Sequence, residues 1–246
     1  MKTKFPFLIL LLLLAAAPVL ADSPWVLDFE ADMVNAESND VAIPGNTGTR
    51  FSLTDDLKTD EDVAFRLRLG RDLGRHHLSL LYAPLKLHSK GSVDFGIDFN
   101  GDYFAPETDL KAVYQFNSYR LTWRYDLANT QSVDFGLGLT AKVRDAYIEL
   151  SDETTTSRKD NLGFVPLIHL RLDWRWGKKL GFLLEADGAA AKQGRAEDVM
   201  AALTLRPWST GSFRLGYRIL EGGVDVDEVY NFALISSIVF GWNQRF

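Results

Sequence analysis

Apolar and polar residues alternate along most of the chain, in segments of roughly ten residues, the length that crosses a lipid bilayer as a tilted strand. In residues 133–143, valine, phenylalanine and leucine at odd positions alternate with aspartate, threonine and lysine at even ones. Similar segments begin near residues 25, 63, 164, 180, 199, 213 and 230. Because successive side chains of a strand point to opposite faces, each segment predicts a β-strand with one apolar and one polar face.

The connections between these segments alternate between short and long. Short ones fall at residues 72–75, 126–130, 177–179 and 208–211, and longer ones at about 35–61, 88–109, 151–161, 188–197 and 221–228. This alternation is typical of transmembrane β-barrels, whose sheet must close because lipid offers no partner to a free backbone group. We predict an all-β fold, an antiparallel up-and-down transmembrane barrel of about ten strands with short periplasmic turns and longer extracellular loops.

Two of the ten predicted strands are less regular. Residues 76–87 are largely apolar on both faces, and in residues 110–125 the apolar positions change phase near Asn117. A β-bulge at Asn117, or an outer extension of the strand meeting the membrane part, would explain the change of phase.

The N-terminus has the pattern of an export signal. Lys2 and Lys4 precede an uncharged run from Phe5 to Ala21, and small or branched residues stand at the positions that a signal peptidase reads. A membrane anchor is the alternative, but the run is shorter than the ~20 residues that a spanning helix needs. We therefore expect a signal peptide over 1–21 and one mature domain over 22–246, exported to the bacterial outer membrane.

Aromatic residues are sorted between the two ends of the predicted barrel. Tyrosines lie near the long loops, whereas all six tryptophans fall at the short-turn ends of their strands. Tryptophan and tyrosine favour the interface between membrane and water. The predicted periplasmic aromatic girdle consists of Trp25, Trp123, Trp174, Trp176, Trp208 and Trp242.

The C-terminal residues add a family resemblance. The chain ends on Phe246 after alternating apolar residues, and with the export signal, strands and aromatic sorting it resembles small bacterial outer-membrane barrels of the OmpA, OmpW and omptin types. Residues 116–125 and 142–146 are similar to uncharacterised barrels of this size. The resemblance implies that Phe240, Trp242 and Phe246 form the signal read by the barrel-assembly machinery, with Gln244 at a position usually aromatic or aliphatic. It implies a fold and a location, not an activity.

Composition narrows the function classes. The chain has no cysteine, which excludes disulfide scaffolds, thiol catalysis and cysteine zinc sites. Its net charge of -6 argues against nucleic-acid binding, which needs a basic face. We expect a monomer without a cofactor, whose partners are outer-membrane lipid, lipopolysaccharide and the barrel-assembly machinery.

The polar faces of the predicted strands carry many charges, with basic residues in excess. Acidic residues of the first strand lie between basic residues of the second strand and Arg245, and those of the seventh lie between Arg171 or Arg175 and Arg206, so neighbours could pair. Pairing matters because an unpartnered buried charge is expensive. The predicted lumen residues are Asp28, Glu30, Asp32, Arg66, Arg68, Arg120, Arg124, Asp134, Lys142, Arg144, Arg171, Asp173, Arg175, Glu185, Asp187, Arg206, Arg214, Arg218 and Arg245.

Two groups of residues resemble parts of barrel enzymes. His77 and Ser79 match the His-x-Ser of lipid A deacylases, but they follow a short turn, on the side away from the outer leaflet. An omptin-like protease would need paired aspartates and an Asp–His couple at the outer mouth, where the chain offers Asp55, Asp56 and His88. We expect no catalytic residues and no enzyme.

Two acidic clusters are weak metal candidates. Asp98, Asn100 and Asp102 have the spacing of a calcium loop, but Tyr103 replaces the glycine that such a loop requires. Asn100-Gly101 is better interpreted as the tip of a type I′ hairpin. The second cluster, in a predicted outer loop, is interpreted as solvated and consists of Asp225, Asp227 and Glu228.

The sequence leaves three functions open. The favoured one is an integral outer-membrane barrel with a charged, plugged lumen and a structural or surface-interaction role. The alternatives are a narrow, anion-preferring or OmpW-like channel for small solutes and, less favoured, a hydrolase acting on lipid A or peptides.

Overall fold

The computed structural model describes residues 25–246, so the predicted export signal lies outside the described residues. This part of the chain contains fifteen strands and no helix long and apolar enough to cross a bilayer. The strands are β1 Trp25–Ala42, β2 Phe51–Ser52, β3 Lys58–Thr59, β4 Asp62–Leu73, β5 His76–Ala83, β6 Lys86–Gly91, β7 Ile97–Phe99, β8 Asp102–Phe104, β9 Leu110–Asn129, β10 Val133–Ser151, β11 Thr156–Trp176, β12 Leu180–Ala191, β13 Gly194–Trp208, β14 Gly211–Val226 and β15 Val229–Arg245.

Ten long strands form a closed antiparallel barrel. The hydrogen-bonded order runs from β10 through β15 to β1, β4, β5 and β9, and β9 pairs with β10 to close the sheet. β6 continues along β9 where β5 ends, after a break at Pro84. The predicted fold, an all-β up-and-down barrel of about ten strands, is confirmed.

The two ends of the barrel differ as predicted, but three of the expected long loops are strands. Turns of two or three residues connect the strands at one end, which we call the short-turn end. At the other end β12 and β13 are separated by residues 192–193, and β14 and β15 by residues 227–228. The sequence did not predict these hairpins, because a strand that extends beyond the bilayer can carry polar residues on its outer face and then lacks the alternating pattern.

Two long insertions remain at that end, residues 43–61 and 84–109, the second of which includes the wall strand β6, and together we call them the outer cap. They cross the barrel mouth and are fixed to distant strands. Gly45 donates to the carbonyl of Asp227, and Asn100 to that of Ile43. The cap therefore covers the outer opening.

An apolar core lies beneath the outer cap. It joins cap residues to inward-facing residues of β1, β9, β10 and β15, and its larger members are buried almost completely. The core includes Val34, Val41, Ile43, Phe51, Leu53, Leu57, Leu87, Ile97, Phe99, Phe104, Leu110, Tyr114, Ile148, Leu150 and Ile235. We call this part of the barrel the cap-side half, and the remainder the turn-side half.

The change of phase in β9 marks the boundary between these halves. Even-numbered side chains from Leu110 to Arg124 face inward without interruption, so there is no bulge at Asn117. The inward residues are apolar up to Phe116 and polar from Ser118 onward. Of the two explanations for the pattern, the outer extension is correct, and the register of β9 shifts only near Leu127.

The outer surface of the turn-side half carries a band of exposed apolar side chains. Leu139 is 60% exposed, Ile168 67%, Leu203 60% and Leu215 60%, although each lies in the middle of a paired strand. A contiguous apolar surface around a whole barrel is not stable in water and marks contact with an apolar phase.

Candidate functional site in the barrel lumen

Arginine and carboxylate side chains fill the centre of the turn-side half. Asp198 on β13 accepts ion pairs from Arg66 at 3.0 Å, Arg120 at 2.6 Å and Arg218 at 2.5 Å. These arginines come from β4, β9 and β14, so their side chains join opposite walls of the barrel. All four side chains are at most 8% exposed.

Glu30 on β1 is the second shared acid of this layer. Its carboxylate lies 2.6 Å from Arg214, 2.6 Å from Arg218 and 3.3 Å from Arg66. Arg218 and Arg66 each contact both Glu30 and Asp198. These two acids and the four arginines around them form what we call the central plug, which consists of Glu30, Asp198, Arg66, Arg120, Arg214 and Arg218.

The plug continues toward the short-turn end. Arg214 donates two hydrogen bonds of 2.7 Å to Asp28, the bidentate geometry that a planar guanidinium favours. Glu185 accepts from Arg68 and, at 3.1 Å, from Arg171. Burying these charges costs several kcal/mol per ion unless they are paired, which explains why the acids and bases alternate in space.

A histidine extends the network on β11. The Nδ1 atom of His169 lies 2.9 Å from Asp187, whose carboxylate also accepts from Thr140 at 2.8 Å and from Arg120 at 2.8 Å. Thr122 lies within hydrogen-bond distance of Thr140. This cluster is buried and connects β9, β10, β11 and β12 to the central plug.

Below the plug, the lumen opens into a vestibule of about 530 Å³ at the short-turn end. Its ion pairs are more exposed than those of the plug. They join Arg245 to Asp72 at 3.1 Å, Arg206 to Asp173 at 2.5 Å and Arg175 to Asp134 at 3.7 Å.

The structure places the predicted lumen residues on the inner face, but several pair differently from the expectation. Arg245 contacts Asp72 instead of the first-strand acids, and Arg206 contacts Asp173 instead of the seventh strand. Asp187 pairs across the lumen with Arg120. Prediction from neighbouring strands fails here because long arginine side chains reach across the lumen. Among residues 25–246, Asp32, Lys142 and Arg144 make no ion pair, and Arg124 contacts Asp126 at 3.1 Å.

Sequence reasoning missed several members of this network. Asp198 lies between the predicted loop 188–197 and the predicted strand that begins near residue 199, so the prediction omits it, although it stands one residue before an alternating apolar run and so has inward parity. The prediction does not include His169, and it places Asp126 and Asp72 in turns. Extending each alternation to the end of its strand would have found the two strand-end acids and Asp198.

Five of the six predicted girdle tryptophans lie exposed near the short-turn end, between 41% and 49%. Trp242 does not fit the prediction, because it is only 8% exposed, packed between its cross-strand neighbours Phe29 and Phe213. Of the other predicted assembly-signal residues, Phe240 is exposed, and the amide of Phe246 donates to Trp25.

Gln244 has a structural reason to differ from the usual aromatic or aliphatic residue. Its Oε1 atom accepts from Trp208 Nε1 at 3.0 Å, and its Nε2 atom donates to Thr210 at 3.0 Å. The amide thus ties the last strand to the β13–β14 turn.

The candidate enzyme residues do not assemble into a catalytic set within the described chain. Both ring nitrogens of His77 face carboxylates, Nδ1 toward Asp72 and Nε2 toward Asp126, each at 2.5 Å, so neither can take a proton from Ser79. At the other end, Asp56 accepts a hydrogen bond from the amide of Ser52, and no ion pair within residues 25–246 joins His88 to an aspartate.

The two metal candidates are turns. Asn100 and Gly101 have φ values of 52° and 92° and connect β7 to β8, as the type I′ hairpin requires. Asp227 and Glu228 form the tight β14–β15 turn, next to Asp225. Within residues 25–246 no group of three or more histidine or acidic side chains is placed to hold a metal ion.

Comparison with known proteins supports the fold. No family model matches the sequence, and a search of curated proteins finds no match. The chain is similar in structure to the outer membrane protease OmpT from Escherichia coli, with a TM-score of 0.53 and 10% identity over 92% of this chain and 97% of that one. Weaker similarity is found to the Neisserial surface protein A, with a TM-score of 0.36 and 15% identity over 91% and 98% of the two chains. At 10% identity the likeness to OmpT shows the fold alone.

Proposed function

We propose that the protein is an integral protein of the bacterial outer membrane whose barrel is closed to solutes, with a structural or surface-interaction role. The location is supported by the apolar band, by the exposed tryptophans at one of its edges and by the predicted export signal. In this orientation the short turns face the periplasm and the outer cap faces the exterior.

The observation that carries the closed state is the central plug. Asp198 and Glu30 are shared by arginines from opposite walls, so opening a path requires several buried ion pairs to separate together. Removing one partner from a buried pair costs about 3–5 kcal/mol, because the remaining charge stays in a dry environment. The apolar core under the outer cap forms a second barrier, which disfavours ions further.

A narrow channel is the second candidate, and the vestibule is the observation that favours it. This cavity is polar, open to the short-turn end and rich in arginine, as an anion path would be. It ends, however, at the central plug.

A hydrolase is the least supported reading. OmpT is a protease with the same fold, but fold alone does not carry activity. The engaged ring nitrogens of His77 disfavour the only His-x-Ser pair as a base and nucleophile.

Electrical recording separates the two leading candidates. The purified barrel is inserted into planar bilayers, with folding checked by heat-modifiable gel mobility and an open general porin as the positive control. We expect no conductance steps from the wild-type protein. Reproducible steps with anion selectivity would overturn the closed barrel and establish the channel.

A further inference from the structure

The barrel wall is incomplete on one side of the cap-side half. β10 and β11 pair along their whole length up to Ser151 and Thr156, but β11 and β12 pair only from Trp176 to Ile168. Within residues 25–246, the outer part of β11, residues 156–167, therefore has no strand paired to its second side, where the side-chain amide of Asn100 donates one hydrogen bond of 3.0 Å to the carbonyl of Arg158.

Pro166 explains why the pairing stops there. Proline has no backbone N–H and is confined in sheets to edges and strand ends. The next pairs of the register would join residues 166 and 190, where the proline cannot donate, and β12 turns back into β13 two residues later. Pro166 thus marks the point in the middle of β11 at which the strand becomes an edge of the sheet.

A cleft opens beside this edge and reaches into the barrel. Two adjoining cavities of about 40 Å³ each lie between β9–β11 on one side and β13–β15 on the other, and both are lined by Tyr114, Phe116 and Arg144. By the volume that one water requires, each holds about three water molecules or a group the size of a phosphate. We call this the lateral cleft.

The lateral cleft is positively charged. Lys142, Arg144 and Lys159 line it, and within residues 25–246 none of them has a carboxylate within 4.0 Å. The one acid in the lining, Glu221, is already paired with Arg195. Lys142 is only 3% exposed and lies 4.6 Å from the centre of the Phe116 ring. In contrast to the arginines of the central plug, these cations lack an anion.

The cleft lies at the outer edge of the apolar band. On the outward face of the same strand, Leu162 is 77% exposed and Phe164 67%. Phe164 is level with Val143, Tyr119 and Tyr82 across the sheet, and tyrosines favour the membrane interface. A lipid whose acyl chains lie against Leu162 and Phe164 would have its head group at the height of the opening.

We propose that the lateral cleft binds the phosphate head group of an anionic membrane lipid, which enters sideways past the β11 edge. Arg144 and Lys159 contact the phosphate at the opening and Lys142 lies behind it, while the acyl chains stay outside on Leu162 and Phe164. The cleft is too small for the chains, and its unpaired cations match a phosphate. This inference rests on the proposed membrane location and deepens it to a specific lipid site.

Lipid binding to the full-length barrel in detergent tests the proposal, read by native mass spectrometry with added dioleoylphosphatidylglycerol. We expect one tightly bound lipid, and at least about tenfold weaker binding by the double variant Arg144→Gln/Lys159→Gln, because charge-assisted contacts are lost. Pro166→Val should also weaken binding without removing a charge, since it lets β12 pair with β11 as far as residue 165 and so narrows the entrance to the cleft. Lys90→Gln is the control, because Lys90 is an exposed cation of the same end, outside the cleft.

The outcomes separate this proposal from its alternatives. Equal binding by the wild type and the double variant, or equal affinity for dioleoylphosphatidylcholine, would overturn the head-group site. Saturation of the same site by inorganic phosphate alone would show a soluble anion as the ligand, and dimers protecting residues 156–167 would show a second copy at the edge. In each case heat-modifiable insertion into liposomes would persist, so the membrane location is judged separately.

Discussion

The turn-side and cap-side halves of the barrel bury opposite kinds of side chain. In the turn-side half, arginines and carboxylates fill the interior while leucines face outward. In the cap-side half, the interior is a core of phenylalanine, leucine and isoleucine. β9 shows both arrangements on one strand, since Leu121 points outward and is 50% exposed, whereas Tyr114 points inward and is 5% exposed.

The difference shows that the surroundings of the barrel decide which face is apolar. Where lipid surrounds the wall, the outer face takes the apolar side chains, and charges can be placed inside only if they neutralise one another. Where water surrounds the wall, the same strands can use the ordinary arrangement of a soluble protein. The boundary between the halves is therefore the expected outer surface of the membrane.

The largest expected effect comes from breaking the central plug. Asp198→Asn keeps the size of the side chain but removes the charge shared by three arginines, and we expect it to lower the free energy of unfolding by about 3–5 kcal/mol. Urea titration of the barrel in lipid vesicles, read by gel mobility, measures this loss.

Asp60→Asn is the matched control in the outer cap. Asp60 pairs with Lys90, but these side chains are 53% and 66% exposed. An exposed ion pair contributes less than about 1 kcal/mol, so the control should unfold nearly as the wild type does. Equal losses in both variants would contradict the idea that the turn-side half depends on buried pairing.

The second prediction locates the boundary between lipid and water. Leu139 and Tyr103 are both 60% exposed, but Leu139 lies in the apolar band and Tyr103 in the outer cap. Leu139→Lys should lower the free energy of unfolding in lipid vesicles by about 2–4 kcal/mol, because a charge then faces the bilayer. Tyr103→Lys should change it by less than about 0.5 kcal/mol.

The same urea titration gives both values. If Leu139→Lys were tolerated as well as Tyr103→Lys, the band would not lie in lipid, and the proposed location would fail. The two halves would then differ for another reason than their solvents.

The sequence was sufficient to predict the turn-side half. There the outer face of the wall contacts lipid and the inner face lines a polar lumen, so the alternation from Val133 to Val143 predicted both the strand and its inward face. Alternation was less informative in the cap-side half. The polar segments around Asp160 and Glu197 predicted loops, but both residues lie in paired strands. Polarity separates strand from loop only where lipid forbids a polar outer face.

The lumen network was predictable in composition but not in its contacts. The parity of each strand identified most of the inward charges, including Glu30 and Arg218. The pairing was not predictable, because Arg120 reaches Asp187 and Asp198 on strands far from its own in the sheet. The lateral cleft was not predictable from the sequence either, because its lining comes from six strands, although Pro166 is a local sign that the pairing of a strand ends.

The smallest expected effect concerns the cap-side half alone. Gly101 has a φ of 92°, so Gly101→Ala strains the β7–β8 hairpin by about 1 kcal/mol. Gly188 has an ordinary φ and open space beside its Cα, so Gly188→Ala is the control and should be neutral or slightly stabilising. We expect Gly101→Ala to raise the rate of limited proteolysis in residues 84–109 without changing the gel mobility shift of the barrel. The hairpin packs Phe99 and Phe104 into the apolar core, and local opening there leaves the central plug paired. A parallel loss of the mobility shift would instead mean that the two halves unfold as one unit, despite their opposite interiors.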